Sequence, residues 1–129
     1  MTREEKWLLL KDLCARQLYG VKIEIGITFL KDVVSCHKLK RIDVEEETIN
    51  GFYIDSTSVK PYLRPMSSMT EEEYSEFLNT QKMDCGDGNL PKYEYTYKTF
   101  DWLNKKMFDY RDLIGKGLAL KAPEGMYNF

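Results

Sequence analysis

The dipeptide Asn50-Gly51 stands between Thr48-Ile49 and Phe52-Tyr53-Ile54. Both central residues of a two-residue hairpin turn need positive φ, which Asn and Gly tolerate and most other residues resist. The pair therefore predicts a hairpin, with one strand ending near Ile49 and the next starting near Phe52. The surrounding chain keeps strand character. Val21, Ile23 and Ile25 alternate with Lys22 and Glu24, and residues 28–35 and 39–45 are further runs of β-forming type. Residues 59–63 form a last short extended piece, broken by Pro61 and ended by Pro65.

Helical signals flank this β-rich stretch. Thr2 and Glu5 make a capping box, Thr-x-x-Glu, in which each side chain satisfies the other's free backbone donor. Trp7, Leu10 and Cys14 then recur at helical spacing, flanked by Leu9 and Leu13, which predicts a helix over 3–17 that Gly20 ends. Thr70 and Glu73 form a second box, opening a helix to about Gln81. Gly86, Gly88 and Pro91 mark residues 82–92 as a loop. A third helix carries Phe100, Leu103 and Met107 with Trp102 beside them. Residues 109–114 read as a short fourth helix, stopped by Gly115 and Gly117. Leu118-Ala119-Leu120 is a candidate edge strand returning to the sheet. The expected fold is a single α+β domain over 1–129. Residues 1–66 hold the first helix and a small antiparallel sheet curled toward an SH3-like barrel, and residues 67–129 are mainly helical.

Composition narrows the function classes. The chain has 129 residues, 43% hydrophobic and 31% charged, which is ordinary for one globular domain. The net charge is −2. Nucleic-acid binding is driven by counterion release from many phosphates, so a slightly acidic chain needs a segregated basic face to achieve it. A nucleic-acid partner is therefore not expected. Cys14, Cys36 and Cys85 are odd in number, widely spaced and without a CxxC pair, which argues against a disulfide framework or a zinc knuckle. The polar opening Met1-Thr2-Arg3-Glu4-Glu5-Lys6 reads as neither signal peptide nor anchor, and no apolar run reaches the length of a membrane span. These features point to the cytoplasm, with reduced cysteines, no cofactor and no bound metal.

Three segments together carry a resemblance. The first is Glu4-Glu5-Lys6-Trp7-Leu8-Leu9-Leu10-Lys11-Asp12-Leu13-Cys14-Ala15-Arg16. The second runs Val59-Lys60-Pro61-Tyr62-Leu63-Arg64-Pro65-Met66-Ser67-Ser68-Met69-Thr70-Glu71-Glu72-Glu73. The third comprises Asp101-Trp102-Leu103-Asn104, Phe108-Asp109-Tyr110-Arg111-Asp112-Leu113-Ile114, Gly117-Leu118-Ala119-Leu120 and Ala122-Pro123-Glu124-Gly125-Met126-Tyr127. The chain resembles a group of small uncharacterised proteins encoded by gut Bacteroidales and their phages or mobile elements. The resemblance spans both ends, which implies a single-domain unit and an accessory role against a host system. It implies no activity, and no functional residue is carried over from it. The group often has histidines just before the Phe-Asp-Tyr-Arg segment, where this chain has Lys106 and Met107.

Several constellations invite chemistry and have plainer readings. His37, the one histidine, adjoins Cys36, but neighbours in a strand point to opposite faces, which argues against a thiolate dyad. Asp84, Asp87, Gly88 and Glu94 echo a calcium loop, yet Met83 and Cys85 stand where the first and third oxygen ligands belong. The run Asp43, Glu45, Glu46, Glu47 reads as a solvated edge that discourages aggregation rather than an acid/base pair. Lys38, Lys40, Arg41, Lys60 and Arg64, with Tyr53 and Tyr62 as stacking rings, sketch a nucleic-acid face, but the acidic run follows them directly.

The least bland signal is aromatic. Tyr93, Tyr95 and Tyr97 alternate with polar residues and share a face if extended, and Trp102, Phe108, Tyr110 and Arg111 follow closely. Tyr, Trp and Arg dominate interface hot spots. A domain this small cannot readily bury all these rings, and those left outside would form a patch rimmed by Lys92, Lys98, Arg111 and Asp112. The function expected is a non-enzymatic binding or regulatory module for a protein partner or a second copy of the chain. A nucleic-acid-binding barrel and a small enzyme built on scattered carboxylates are the alternatives.

Overall fold

The computed structural model describes residues 1–27, 30–84, 88 and 90–129. Its first helix, α1 (Arg3–Arg16), begins at the expected capping box: the Thr2 hydroxyl accepts from Glu5 N and the Glu5 carboxylate accepts from Thr2 N. Such a cap stabilises a helix by about 1 kcal/mol. A 3-10 turn follows, and Gly20 at φ 75° ends it in the left-handed conformation. The buried face differs from the expected stripe. Leu9, Leu10 and Leu13 are buried together with Asp12 and Arg16, while Trp7 and Cys14 are exposed. Two charges can enter the interior because they neutralise each other, as described below.

The main sheet is built on β1 (Lys22–Ile27). It pairs antiparallel with β2 (Leu30–Lys38) on one side and with β6 (Thr57–Leu63) on the other. The alternation of β1 buries Ile23 and Ile25, and that of β6 buries Val59, Pro61 and Leu63. Ile23, Ile25, Val59 and Leu63 join Leu9, Leu10 and Leu13 of α1 in the main core, each contributing about 2 kcal/mol by removal from water. Leu113, Leu118 and Ala119 complete that core, so both halves of the chain build it. Pro61 lies inside β6 rather than breaking it, opposite Ile23. The strand on its other side, β9 (Leu120–Lys121), pairs in parallel only with Tyr62 and Leu63. Pro61 thus has one strand neighbour, a position where its missing donor is tolerated.

The Asn50-Gly51 hairpin forms as expected. β4 (Thr48–Ile49) and β5 (Phe52–Tyr53) pair with Ile49 opposite Phe52, and both turn residues have positive φ, 52° and 85°. β3 (Ile42–Asp43) extends them to three strands, which is all that residues 39–45 contribute to sheet. The remaining elements are α2 (Glu71–Thr80), β7 (Lys82–Asp84), β8 (Lys92–Glu94) and α3 (Tyr97–Lys105).

Four expectations are corrected. No sheet closes into an SH3-like barrel among the described residues: there are separate sheets of four, three and two strands. Residues 82–92 are not wholly loop, because β7 and β8 pair as a hairpin with Met83 opposite Tyr93. The third helix ends before Met107, which has φ 62°. Residues 109–114 form turns rather than a helix. The Asp109 carboxylate accepts from Leu113 N and Ile114 N, and Asp112 sits at φ 56°, which interrupts any right-handed run. The C-terminal half is therefore less helical than its sequence predicts.

Candidate functional site

α2 and α3 both open on capping boxes: Thr70 with Glu73, and Thr96 with Thr99. The Thr96 and Thr99 hydroxyls also donate to Thr80 O, at 2.8 and 3.0 Å, which ties the start of α3 to the end of α2. Between them the helices enclose a second core of Phe77, Leu103 and Phe108, with Met66, Met69, Trp102 and Tyr110 against it.

From this core, rings continue outward without a break. Trp102 stacks on Phe77 and on Phe108, with centroids 5.8 and 5.6 Å apart, and its Nε1 donates to Glu76. Phe77 meets Tyr95 edge-on at 5.5 Å, Tyr95 meets Phe100 at 5.6 Å, and Phe100 meets Tyr110 at 5.5 Å. The exposed Tyr74 ring is tilted toward that of Phe77, with centroids 6.5 Å apart. The series exposes Tyr74 by 54%, Tyr95 by 46% and Phe100 by 41%. Pairs of this geometry contribute about 0.5–1.5 kcal/mol beyond their area, so the exposed rings are held in place by the buried ones.

The residues singled out from sequence divide accordingly. Tyr93, Tyr95 and Tyr97 are exposed, Trp102, Tyr110 and Arg111 are partly buried, and Phe108 is fully buried. The three tyrosines do not lie on one strand. Tyr93 belongs to β8, Tyr95 to the connection, and Tyr97 is the first residue of α3. Tyr74 and Phe77 were missed, since they lie far away in sequence. Their spacing of three on α2 is the signal that could have found them.

Tyr95 and Tyr110 also wall a cleft of about 540 Å3 between the segment Pro65-Met66-Ser67 and the turns from Asp109 to Gly115. Asp109 and Asp112 line it, and no Lys or Arg does. Arg111 is turned away: its Nη1 donates to Asp12 at 2.7 Å and its guanidinium lies 4.6 Å from the Tyr110 ring centre. Burial pushes the Tyr95 hydroxyl above its usual pKa, consistent with a wall already partly withdrawn from water. The cleft can take an apolar or cationic side chain between two rings and a carboxylate.

The other constellations stand apart from it. Arg64 is held bidentately by Glu73, both contacts 2.8 Å, and lies within 4.2 and 5.0 Å of the Phe108 and Phe129 rings. The guanidinium holds the Glu73 carboxyl below its ordinary range. A hollow of about 440 Å3 beside Arg64 is lined by two cations, Arg64 and Lys121, of which Arg64 is already paired. Ser35 Oγ and His37 Nε2 lie 2.6 Å apart, the contact of a nucleophile and base. Among the described residues, though, no carboxylate orients the other ring nitrogen. Cys14 and Cys36 are free and exposed. Cys85 and Asp87 lie outside the described residues, while Asp84 and Glu94 lie exposed on the two strands of the β7–β8 hairpin. Among the described residues no group of three His, Cys, Asp or Glu side chains could hold a metal. No described helix is long and apolar enough to cross a membrane.

Compared with known proteins, the chain matches no protein-family model, no curated protein and no solved structure.

Proposed function

We propose that the chain is a non-enzymatic, cytoplasmic protein-binding module, and that it receives its partner on the ring series and in the cleft beside it. The partner is a polypeptide segment that offers a Lys or Arg side chain flanked by apolar residues. One observation carries this reading. An unbroken series of ring contacts runs from the buried Phe108 to the half-exposed Tyr95 and ends in a cleft with the exposed Asp112 carboxylate and no cation. Rings supply large contact area with few torsions to freeze, and a cation between two tyrosines and a carboxylate gains from both. An accessory role for a phage or mobile element is the setting we propose, supported by the segment resemblance alone.

The test is a selection of random peptides on the immobilised chain. The reading expects enriched peptides with a basic residue next to apolar ones, whose capture is lost with Tyr95→Ala. Failure to enrich any sequence, or enrichment that Tyr95→Ala leaves unchanged, contradicts it.

A further inference from the structure

The expectation against nucleic acid rests on an acidic run lying beside the basic residues. In the folded chain that run is partly engaged elsewhere. Glu47, at φ 54°, pairs with Lys6 of α1 at 3.0 Å, and Asp43 accepts from Glu46 N. What remains beside β2 is a groove of about 720 Å3 that Lys38, Lys40, Arg41, His37 and Phe52 help to line, with no carboxylate in its lining. Among the described residues none of the three cations has an acidic partner. On a chain of net charge −2 this is a local reversal of sign.

The groove is built rather than accidental. Asn50, in the hairpin turn, fastens the backbone that carries the cations. Its Oδ1 accepts from Lys40 N at 2.8 Å and from Arg41 N at 3.1 Å, and its Nδ2 donates to Lys38 O at 3.0 Å. Asn50 N donates to Arg41 O at 2.8 Å, Leu39 N donates to Val21 O at 2.9 Å, and Gln17 Nε2 donates to Lys40 O at 3.0 Å. Leu39 is buried between the exposed Lys38 and Lys40. The backbone is thus fixed while three cations project from it. Directly after the turn, Phe52 presents a ring 42% exposed, whose centroid lies 6.5 Å from that of His37.

From this geometry we infer that the groove binds single-stranded nucleic acid, with phosphates on Lys38, Lys40 and Arg41 and one base on the Phe52 ring. A fixed row of cations beside an exposed ring is the arrangement such binding uses. The groove is separate from the Tyr95 cleft, so either site stands if the other fails. Three phosphate contacts make the binding weak at physiological salt.

The experiment is fluorescence anisotropy with a labelled twelve-nucleotide oligothymidylate and oligouridylate. Neutralising three phosphates gives a salt slope of about −2 for a single strand, so affinity should fall roughly twentyfold between 50 and 200 mM KCl. The double variant Lys40→Ala/Arg41→Ala should weaken binding at 50 mM KCl about tenfold and cut the slope to roughly a third. Phe52→Ala should weaken it about tenfold with the slope unchanged. Lys60→Ala, outside the groove, should behave as the unaltered chain. Absence of binding at 50 mM KCl overturns the inference, as does binding that neither groove variant alters. Equal competition by tripolyphosphate or by a decaglutamate peptide overturns it too, since either shows an anion site indifferent to bases.

Discussion

Arg16 lies edge-on to Asp12, Nε to Oδ2 at 3.0 Å and Nη2 to Oδ1 at 3.1 Å, with both side chains fully buried. Arg16 Nη2 also reaches Phe108 O at 2.6 Å, and Arg111 adds a second cation to Asp12. One turn of α1 is thereby joined to the chain after α3, and with it the main core to the aromatic one.

This network should be costly to break from one side. Arg16→Met takes from the Phe108 carbonyl its shorter partner, leaving Tyr110 N at 3.2 Å, and leaves Asp12 Oδ2 unmatched; it should destabilise the fold by about 3–5 kcal/mol. Asp12→Leu/Arg16→Met together should recover part of that loss, because the two buried groups then need no partners, while Arg111, at the edge of the interior, gives up its carboxylate. Urea midpoints of the three proteins at constant m-value measure this, and a double variant no better than Arg16→Met would contradict it.

Tyr127 predicts an alkaline weakness. Its hydroxyl accepts from Lys22 N and donates to Tyr62 O, and burial pushes its pKa up to about 12. The folded state then holds the proton more tightly than the unfolded chain, whose tyrosines titrate near 10. The stability this contributes is complete below about pH 10 and is lost as pH rises toward 12. Tyr127→Phe should cost about 1–3 kcal/mol at pH 8, and should lose less than the unaltered protein between pH 9 and 11.5. Equal alkaline losses in paired urea titrations would refute this.

Glu73 predicts an acid counterpart. Hydrogen bonds from Arg64, with Thr70 N adding to them, hold its carboxyl below the usual range. Its contribution is present above the unfolded value near 4.3 and is lost as pH falls through the lower folded value. Glu73→Gln should be less stable than the unaltered protein at pH 6, and the gap should narrow by pH 3. A gap that stays constant would assign the loss to packing instead.

The hairpin turn can be probed by backbone conformation. A methyl at Gly51 would meet only Arg41 Nη2, at 3.5 Å, an ordinary contact, but φ there is 85°. Gly51→Ala should therefore cost about 1–2 kcal/mol and Gly51→Asn clearly less, since Asn tolerates the left-handed region. Thermal melts of both variants read this out, and equal costs would count against a conformational origin.

Local signals were legible in the sequence, and long-range ones were not. Asn50-Gly51 and the boxes at Thr2 and Thr70 act within a few residues, so their chemistry appears in the string. The buried face of α1 was not legible. Asp12 and Arg16 look like surface residues until Leu103 O and Phe108 O, from residues far along the chain, come to meet Arg16. The β7–β8 hairpin escaped because its strands are three residues each, too short for one apolar position per strand to stand out, and all six residues are exposed. At the site, the aromatic density after residue 92 was visible. Its continuation through Phe77 and Tyr74, and the cleft under Tyr95, exist only once α2 packs on α3.

The most direct test of the binding account is calorimetric titration of a selected basic-apolar peptide into the unaltered chain, Tyr95→Ala, Asp112→Asn and Lys40→Ala. The account predicts about a tenfold loss of affinity with Tyr95→Ala, as expected of a ring anchor worth over 1 kcal/mol. It predicts a smaller, salt-dependent loss with Asp112→Asn and none with Lys40→Ala. Equal affinity of Tyr95→Ala and the unaltered chain, with both proteins folded by circular dichroism, would contradict it.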